Sequence, residues 1–199
     1  MTDTTTRAAA HAIEEVFTSR WSPRAFDGSV VTEDALFRLF EAARWAPSAF
    51  NAQPWRFLYA LRGGPDWDRF LDLLVPFNRS WADSASALVF VLSDGFTRNA
   101  DGTPKGPSHS HSFDAGAAWG YLALQATHDG LFAHGMTGVD FEKAAGELAV
   151  PEGFRIEAAI AIGRRGDPAT LPDGLREREV PSDRKPATEF AFPGSFPQD

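Results

Sequence analysis

Two guanidiniums and a hydroxyl crowd one short run near the start of the chain, Arg20-Trp21-Ser22-Pro23-Arg24. Pro23 disfavours helical backbone at Ser22 and pushes it toward extended geometry. In an extended run alternate side chains share a face, so Arg20, Ser22 and Arg24 point one way while Trp21 and Pro23 point the other. At the rise of a strand Arg20 and Arg24 stand about 13 Å apart along the backbone, enough for one to meet a phosphate and the other the ring of a mononucleotide. Guanidinium suits that task because it stays charged and grips phosphate with two parallel donors. A solvated Arg-Ser-Arg loop has the same residues, so the run needs support from elsewhere in the chain. The second run of interest, Pro47-Ser48-Ala49-Phe50-Asn51-Ala52-Gln53-Pro54-Trp55, comes about one helix later.

Composition narrows the ligand. The chain has 199 residues, 43% hydrophobic and 23% charged, which predicts a single soluble globular domain over 1–199. No apolar run approaches the roughly 20 residues needed to span a bilayer, and residues 1–6 lack a basic region followed by an apolar stretch. The expectation is a cytoplasmic protein with no membrane partner. Without cysteine there is no disulfide, thiolate nucleophile or thiolate metal site, so any redox chemistry must belong to a bound cofactor. A formal net charge of −8 argues against nucleic acid, and arginine clusters in so acidic a chain point to a small anionic ligand.

The elements that must position these residues are mostly helical. Helices are predicted over 6–18, from a Thr32 N-cap to just before Pro47, from Pro65 through Leu74, over 113–129, and from an Asp140 cap through Leu148. Strands are predicted over 55–60, 87–92 and 155–162, the first two pairing with each other. Residues 94–111 are too polar for a core element and read as a lid or an unstructured loop, and 134–138 read as a turn. From 164 onward the chain is proline-rich and aperiodic, which predicts an extended tail that must lie against something. Residues 1–5 are expected to be disordered.

Four segments in order, followed by a basic motif in the tail, resemble the FMN-dependent nitroreductase family over about 19–189. Ser19-Arg20-Trp21-Ser22-Pro23-Arg24-Ala25-Phe26 resembles its opening flavin-phosphate motif, and Pro47 to Trp55 its Pro-Ser-Ser-x-Asn-x-Gln-Pro-Trp signature. Phe77-Asn78-Arg79-Ser80 and Gly135-Met136-Thr137-Gly138-Val139-Asp140 resemble segments at the flavin ring and its reactive edge, and Asp183-Arg184-Lys185-Pro186 a basic tail motif. The resemblance implies an α+β nitroreductase-like fold, a central mixed or antiparallel sheet flanked by helices, in an intertwined homodimer with FMN at the subunit interface and residues 164–199 packed on the partner. It implies that Arg20, Ser22 and Arg184 hold the phosphate, with Trp21 in the same motif, and that Arg24 lies toward N1 and O2 of the isoalloxazine. Asn78 would meet the pyrimidine edge, and backbone N–H groups at Thr137 and Gly138, beside Met136, would face N5 and O4. Pro47, Ser48, Ala49 and Asn51 would contribute from the partner subunit. The implied activity is ping-pong hydride transfer from NADH or NADPH through flavin N5 to a nitroaromatic, quinone or similar acceptor, with no catalytic side chain.

Departures from the pattern are Ala49 for a serine, Trp81 where some members carry a lysine aimed at the flavin, and Thr137 for an acidic residue. A covering helical region is reduced to 94–111. Alternatives on the same fold are reductases of small semialdehydes or enones, flavin-fragmenting enzymes and dehalogenating enzymes, and beyond catalysis a non-catalytic FMN-binding protein. His109 and His111 lack a third ligand at metal spacing, so no metal is assigned, and no Gly-x-Ser-x-Gly elbow supports a hydrolase.

Overall fold

A computed structural model describes residues 7–197. In chain order its elements are α1 (Glu15–Ser19), α2 (Glu33–Arg44), β1 (Trp55–Leu61), α3 (Trp67–Leu71), α4 (Pro76–Ala82), β2 (Ala87–Asp94), β3 (Phe96–Arg98), β4 (Pro104–Pro107), α5 (His111–His128), β5 (Phe132–Met136), α6 (Phe141–Glu147), β6 (Phe154–Gly163) and α7 (Asp173–Arg176). Four strands make one antiparallel sheet in the order β1-β2-β6-β5.

The sheet is covered on both faces, which explains why β2 is buried at every position and apolar without a break from Ala87 to Leu92. Its alternate residues divide between two cores. Leu88, Phe90 and Leu92 pack with Phe70, Trp81 and Ala144 of α3, α4 and α6, while Val89 and Val91 pack with Leu36 and Leu39 of α2 and Leu122 of α5. The α2 helix begins where Thr32 Oγ1 accepts from the Ala35 N–H at 3.1 Å, and α6 where Asp140 Oδ1 accepts from the Lys143 N–H at 3.1 Å. The α+β class, the helix-flanked sheet, the pairing of β1 with β2 and both caps agree with the sequence reading.

Several boundaries differ. The predicted 6–18 helix shrinks to Glu15–Ser19, with Ile13 and Phe17 exposed rather than buried, while residues 1–6 lie outside the described part. Residues 94–111, read as a lid or loop, contain the β3-β4 hairpin. His134, Gly135 and Met136, read as a turn, instead pair with β6 as the edge strand β5. The α4 helix, which no apolar periodicity announced, starts at Pro76, where a missing N–H costs nothing. The tail is not uniformly extended over 164–199: α7 forms, and Leu171 and Leu175 are buried in this chain's own core. Residues 182–197 are exposed.

Candidate functional site

The segment from Thr18 to Ala25 crosses the molecule as a strap beside β5, and its burial alternates as the proline requires. Trp21 and Pro23 are buried, whereas Arg20, Ser22 and Arg24 remain partly open. Three side chains from elsewhere hold its peptide groups. Arg7 donates to the carbonyl of Thr18 at 2.7 Å and to that of Arg20, and to Ser182 O in the tail at 3.2 Å. His134 Nδ1 donates to Pro23 O at 2.8 Å. Glu179 Oε1 accepts from the N–H groups of Arg24 and Ala25 at 2.7 and 2.8 Å. Charged and ring donors thus take the carbonyls and a carboxylate takes the amides, while the strap's own guanidiniums form no ion pair among the described residues and Arg20 Nη1 donates to Ser22 Oγ at 3.2 Å.

Two clefts meet at this strap and share Arg20, Ser22 and His134. The larger, about 640 Å³, runs along β5 and is lined by Asn78, Trp119, Gly135, Thr137 and Gly138 beyond the shared residues. Asn78 is buried, and its Nδ2 donates to Gly138 O at 3.3 Å. That carbonyl also accepts from the Val75 N–H at 3.0 Å. A Cβ on residue 138 would sit 2.2 Å from Asn78 Nδ2, so glycine is what lets this loop close on α4. Among the described residues the N–H groups of Thr137 and Gly138 donate to no other protein group, which leaves two backbone donors at the rim of the cleft.

The smaller cleft, about 360 Å³, is cationic. Arg20, Arg24, Arg178 and Arg184 line it together with the Ser22 and Ser182 hydroxyls, and no carboxylate does. Burial lowers the pKa of Arg20, and Arg184 and Arg7 lower it further by repulsion. Burial also lowers that of Arg24, with added repulsion from Arg178 and only partial relief from Glu179. Such a site is complementary to an anion. His134, at the join, has its pKa lowered to about 4 by burial, against the raising effect of its bond to Pro23. It is a neutral imidazole at physiological pH.

Among the residues expected from sequence, Arg20, Ser22, Asn78, Met136, Thr137 and Gly138 come together in the larger cleft, and Arg20, Trp21, Ser22, Arg24 and Arg184 in the smaller. Arg24 lines the smaller cleft, which is continuous with the larger one at Arg20, Ser22 and His134, and its amide is held by Glu179. Pro47, Ser48, Ala49 and Asn51 line neither cleft, since they lead into β1 at the opposite edge of the sheet. There Ser48 Oγ accepts from the Gln53 N–H at 3.0 Å and Asp114 Oδ2 from the Ala49 N–H at 3.2 Å. Phe50, Asn51 and Gln53 hold positive φ of 53°, 55° and 48°, and Phe50 is fully exposed. Trp81 lines neither cleft and is 2% exposed, packed between Phe26 and His134. Sequence reasoning missed Arg7, His134, Arg178 and Glu179. Only His134, adjoining the Gly135-to-Asp140 motif, carried a local signal.

The fold is thus a helix-flanked antiparallel sheet whose edge strand borders a cleft ending in arginines, a surface complementary to an anion. The chain belongs to the nitroreductase family, whose profile matches residues 17–74. Over the full length of both chains it is 47% identical, with a TM-score of 0.94, to a crystal structure described as an oxidoreductase containing FMN. It is 35% identical over 88 residues to a Bacillus subtilis relative described as an NAD(P)H nitroreductase, a match covering 44% of this chain and 40% of that one. It is also 27% identical over 186 residues to a relative from Lactiplantibacillus plantarum described as a CLA biosynthesis enone reductase, covering 76% of this chain and 85% of that one.

Proposed function

We propose that this protein is an FMN-dependent NAD(P)H oxidoreductase that reduces nitroaromatic, quinone or similar electron-poor acceptors, and that it works as a homodimer. The observation that carries the reading is the junction of the two clefts. A slot bordered by Asn78 and two free backbone N–H groups opens, across Arg20 and Ser22, into a pocket lined by arginine and no carboxylate. That is the pattern a flat heteroaromatic ring with a phosphate tail requires. Bound FMN supplies two-electron chemistry, taking hydride from the donor and passing it to the acceptor.

The chain's own residues supply binding and orientation. Arg20, Ser22 and Arg184 hold the phosphate, Trp21 packs beneath them, and Asn78 meets the pyrimidine edge. The Thr137 and Gly138 N–H groups, next to Met136, face the edge where charge changes during reduction, and fixed donors there act without reorganising. Pro47, Ser48, Ala49 and Asn51 lie outside the clefts of their own chain, in keeping with a role on the partner's flavin. Their strained, exposed loop is the kind of backbone kept for a binding role. The named relative that reduces enones supports an α,β-unsaturated carbonyl compound as a second acceptor class. The test is an absorbance spectrum of the purified protein before and after anaerobic NAD(P)H. The expected result is a flavin spectrum that bleaches. A flavin that stays oxidised means a binding protein without this half-reaction, and a colourless protein that takes up no FMN overturns the reading.

A further inference from the structure

The part of the chain that carries Arg184 is held to the rest at one polar point. Residues 182–197 are exposed, and among the described residues a single hydrogen bond ties them to the body of the molecule, from Arg7 Nη1 to Ser182 O at 3.2 Å. The same carbonyl accepts from Arg184 Nη1 at 3.1 Å, and that nitrogen also donates to Ser182 Oγ and to Asp183 O, each at 2.9 Å. Arg184 therefore takes its place in the cationic cleft through the peptide that Arg7 holds.

The other donors of Arg7 hold the strap. Its Nε and Nη2 donate to Thr18 O at 2.9 and 2.7 Å, and Nη2 also donates to Arg20 O. All four hydrogen bonds end on backbone carbonyls. Arg44, Arg69, Arg79 and Arg98 pair with carboxylates, whereas among the described residues Arg7 makes no ion pair. One planar group thus bridges the carbonyl of Arg20 and the carbonyl on which Arg184 rests, although nearly the whole chain separates those two residues. A fork of fixed donors is suited to that span, and a single ammonium is not.

Arg20 and Arg184 line one cleft with like charges, and an exposed tail without a tether would relieve their repulsion by moving away. Arg7 lines neither cleft and adds to the positive charge there, so it serves the pair by the geometry of its donors. We propose that Arg7 is a positioning residue for the phosphate half of the site: by taking the carbonyls of Thr18, Arg20 and Ser182 it holds Arg20 and Arg184 together on one anion. This rests on the flavin-reductase reading above. It gives the N-terminal segment a part in cofactor binding that neither the arginine strap nor the tail motif contains.

The experiment is a fluorescence titration of the full chain, freed of flavin, with FMN and with riboflavin, which lacks only the phosphate. Parent, Arg7→Gln and Arg7→Lys are compared, and since Arg7 belongs to neither hydrophobic core both variants are expected to fold. The expected result for Arg7→Gln is an FMN affinity lower by about tenfold, with riboflavin affinity within about twofold of the parent's. Arg7→Lys keeps the charge but not the fork, and is expected to lose nearly as much FMN affinity. Unchanged FMN affinity in Arg7→Gln overturns the proposal. Equal loss of both ligands also overturns it, by making Arg7 a general structural residue, and full recovery in Arg7→Lys does so by reducing it to a nearby charge. A parent that binds neither flavin would instead overturn the reading on which the proposal rests.

Discussion

Arg20 stands at the join of the two clefts, half-buried and repelled by neighbouring arginines, so its removal deletes both a charge and a fork of donors. Arg20→Ala is expected to weaken FMN binding by roughly tenfold to a hundredfold, read as the fluorescence recovered when flavin is released into the filtrate. Retention equal to the parent's would remove it from the phosphate site. His134 gives a second expectation at this scale. Its pKa falls from an ordinary 6.5 to about 4 on folding, chiefly through burial, so the unfolded chain binds the extra proton first as pH drops. The stability this group contributes is complete above pH 6.5 and is lost as pH falls toward 4, on the order of 3 kcal/mol in all. Denaturant unfolding across that window should show a slope that His134→Gln flattens. Parallel curves for parent and variant would refute the assignment. Arg20 could be singled out from sequence because proline fixes the local backbone geometry. His134 could not, because its neutrality comes from burial by residues distant in sequence.

At the scale of elements, the strap is an irregular segment made precise by residues far from it in sequence. Glu179→Ala would leave the Arg24 and Ala25 N–H groups without their acceptor, one of them on a fully buried residue. The expected cost is about 1–3 kcal/mol, or a melting temperature lower by roughly 2–4 °C per kcal/mol, together with weaker flavin retention. Glu179→Gln keeps an acceptor oxygen and should recover most of that loss in the same melting experiment. The Thr137-Gly138 loop gives a parallel case. Gly138→Ala places a methyl carbon against Asn78 Nδ2 and Val75 Cγ2, so either α4 or the loop must move. The expectation is a folded protein with reduced flavin content, and unchanged content would show that the loop can close without this contact. The α2 and α6 helices were legible because a capping side chain and an apolar stripe occur within one short window. The α4 helix was not, because its buried face is fixed by Asn78 and Trp81 meeting residues far away in the sequence, Gly138, His134 and Phe26.

At the scale of the whole molecule, a single chain keeps Ser48, Ala49 and Asn51 at one end of the sheet and the two clefts at the other. Around the first group lies exposed apolar surface, Phe50, Trp45 and Phe113 among it. Loop and surface together support the homodimer proposed above, in which one chain's loop completes its partner's site. Sedimentation at several protein concentrations, with the flavin absorbance followed through the boundary, should show a dimer that carries the flavin. A monomer that retains its full FMN would remove the loop from the site.

The sequence by itself determined the local chemistry. It set the alternation of Arg20, Ser22 and Arg24 about Pro23, the caps at Thr32 and Asp140, the apolar run of β2, and the absence of thiols, because each depends on residue type within a few positions. The ordered motifs also sufficed to indicate the family. Only the tertiary structure decided that Arg178 joins the cationic cleft, that Trp81 is buried in the core, and that His134 is neutral. Each of these turns on which distant residues surround a side chain. Desolvation, repulsion between arginines and the capture of backbone amides by Glu179 arise only when segments more than a hundred residues apart are brought together.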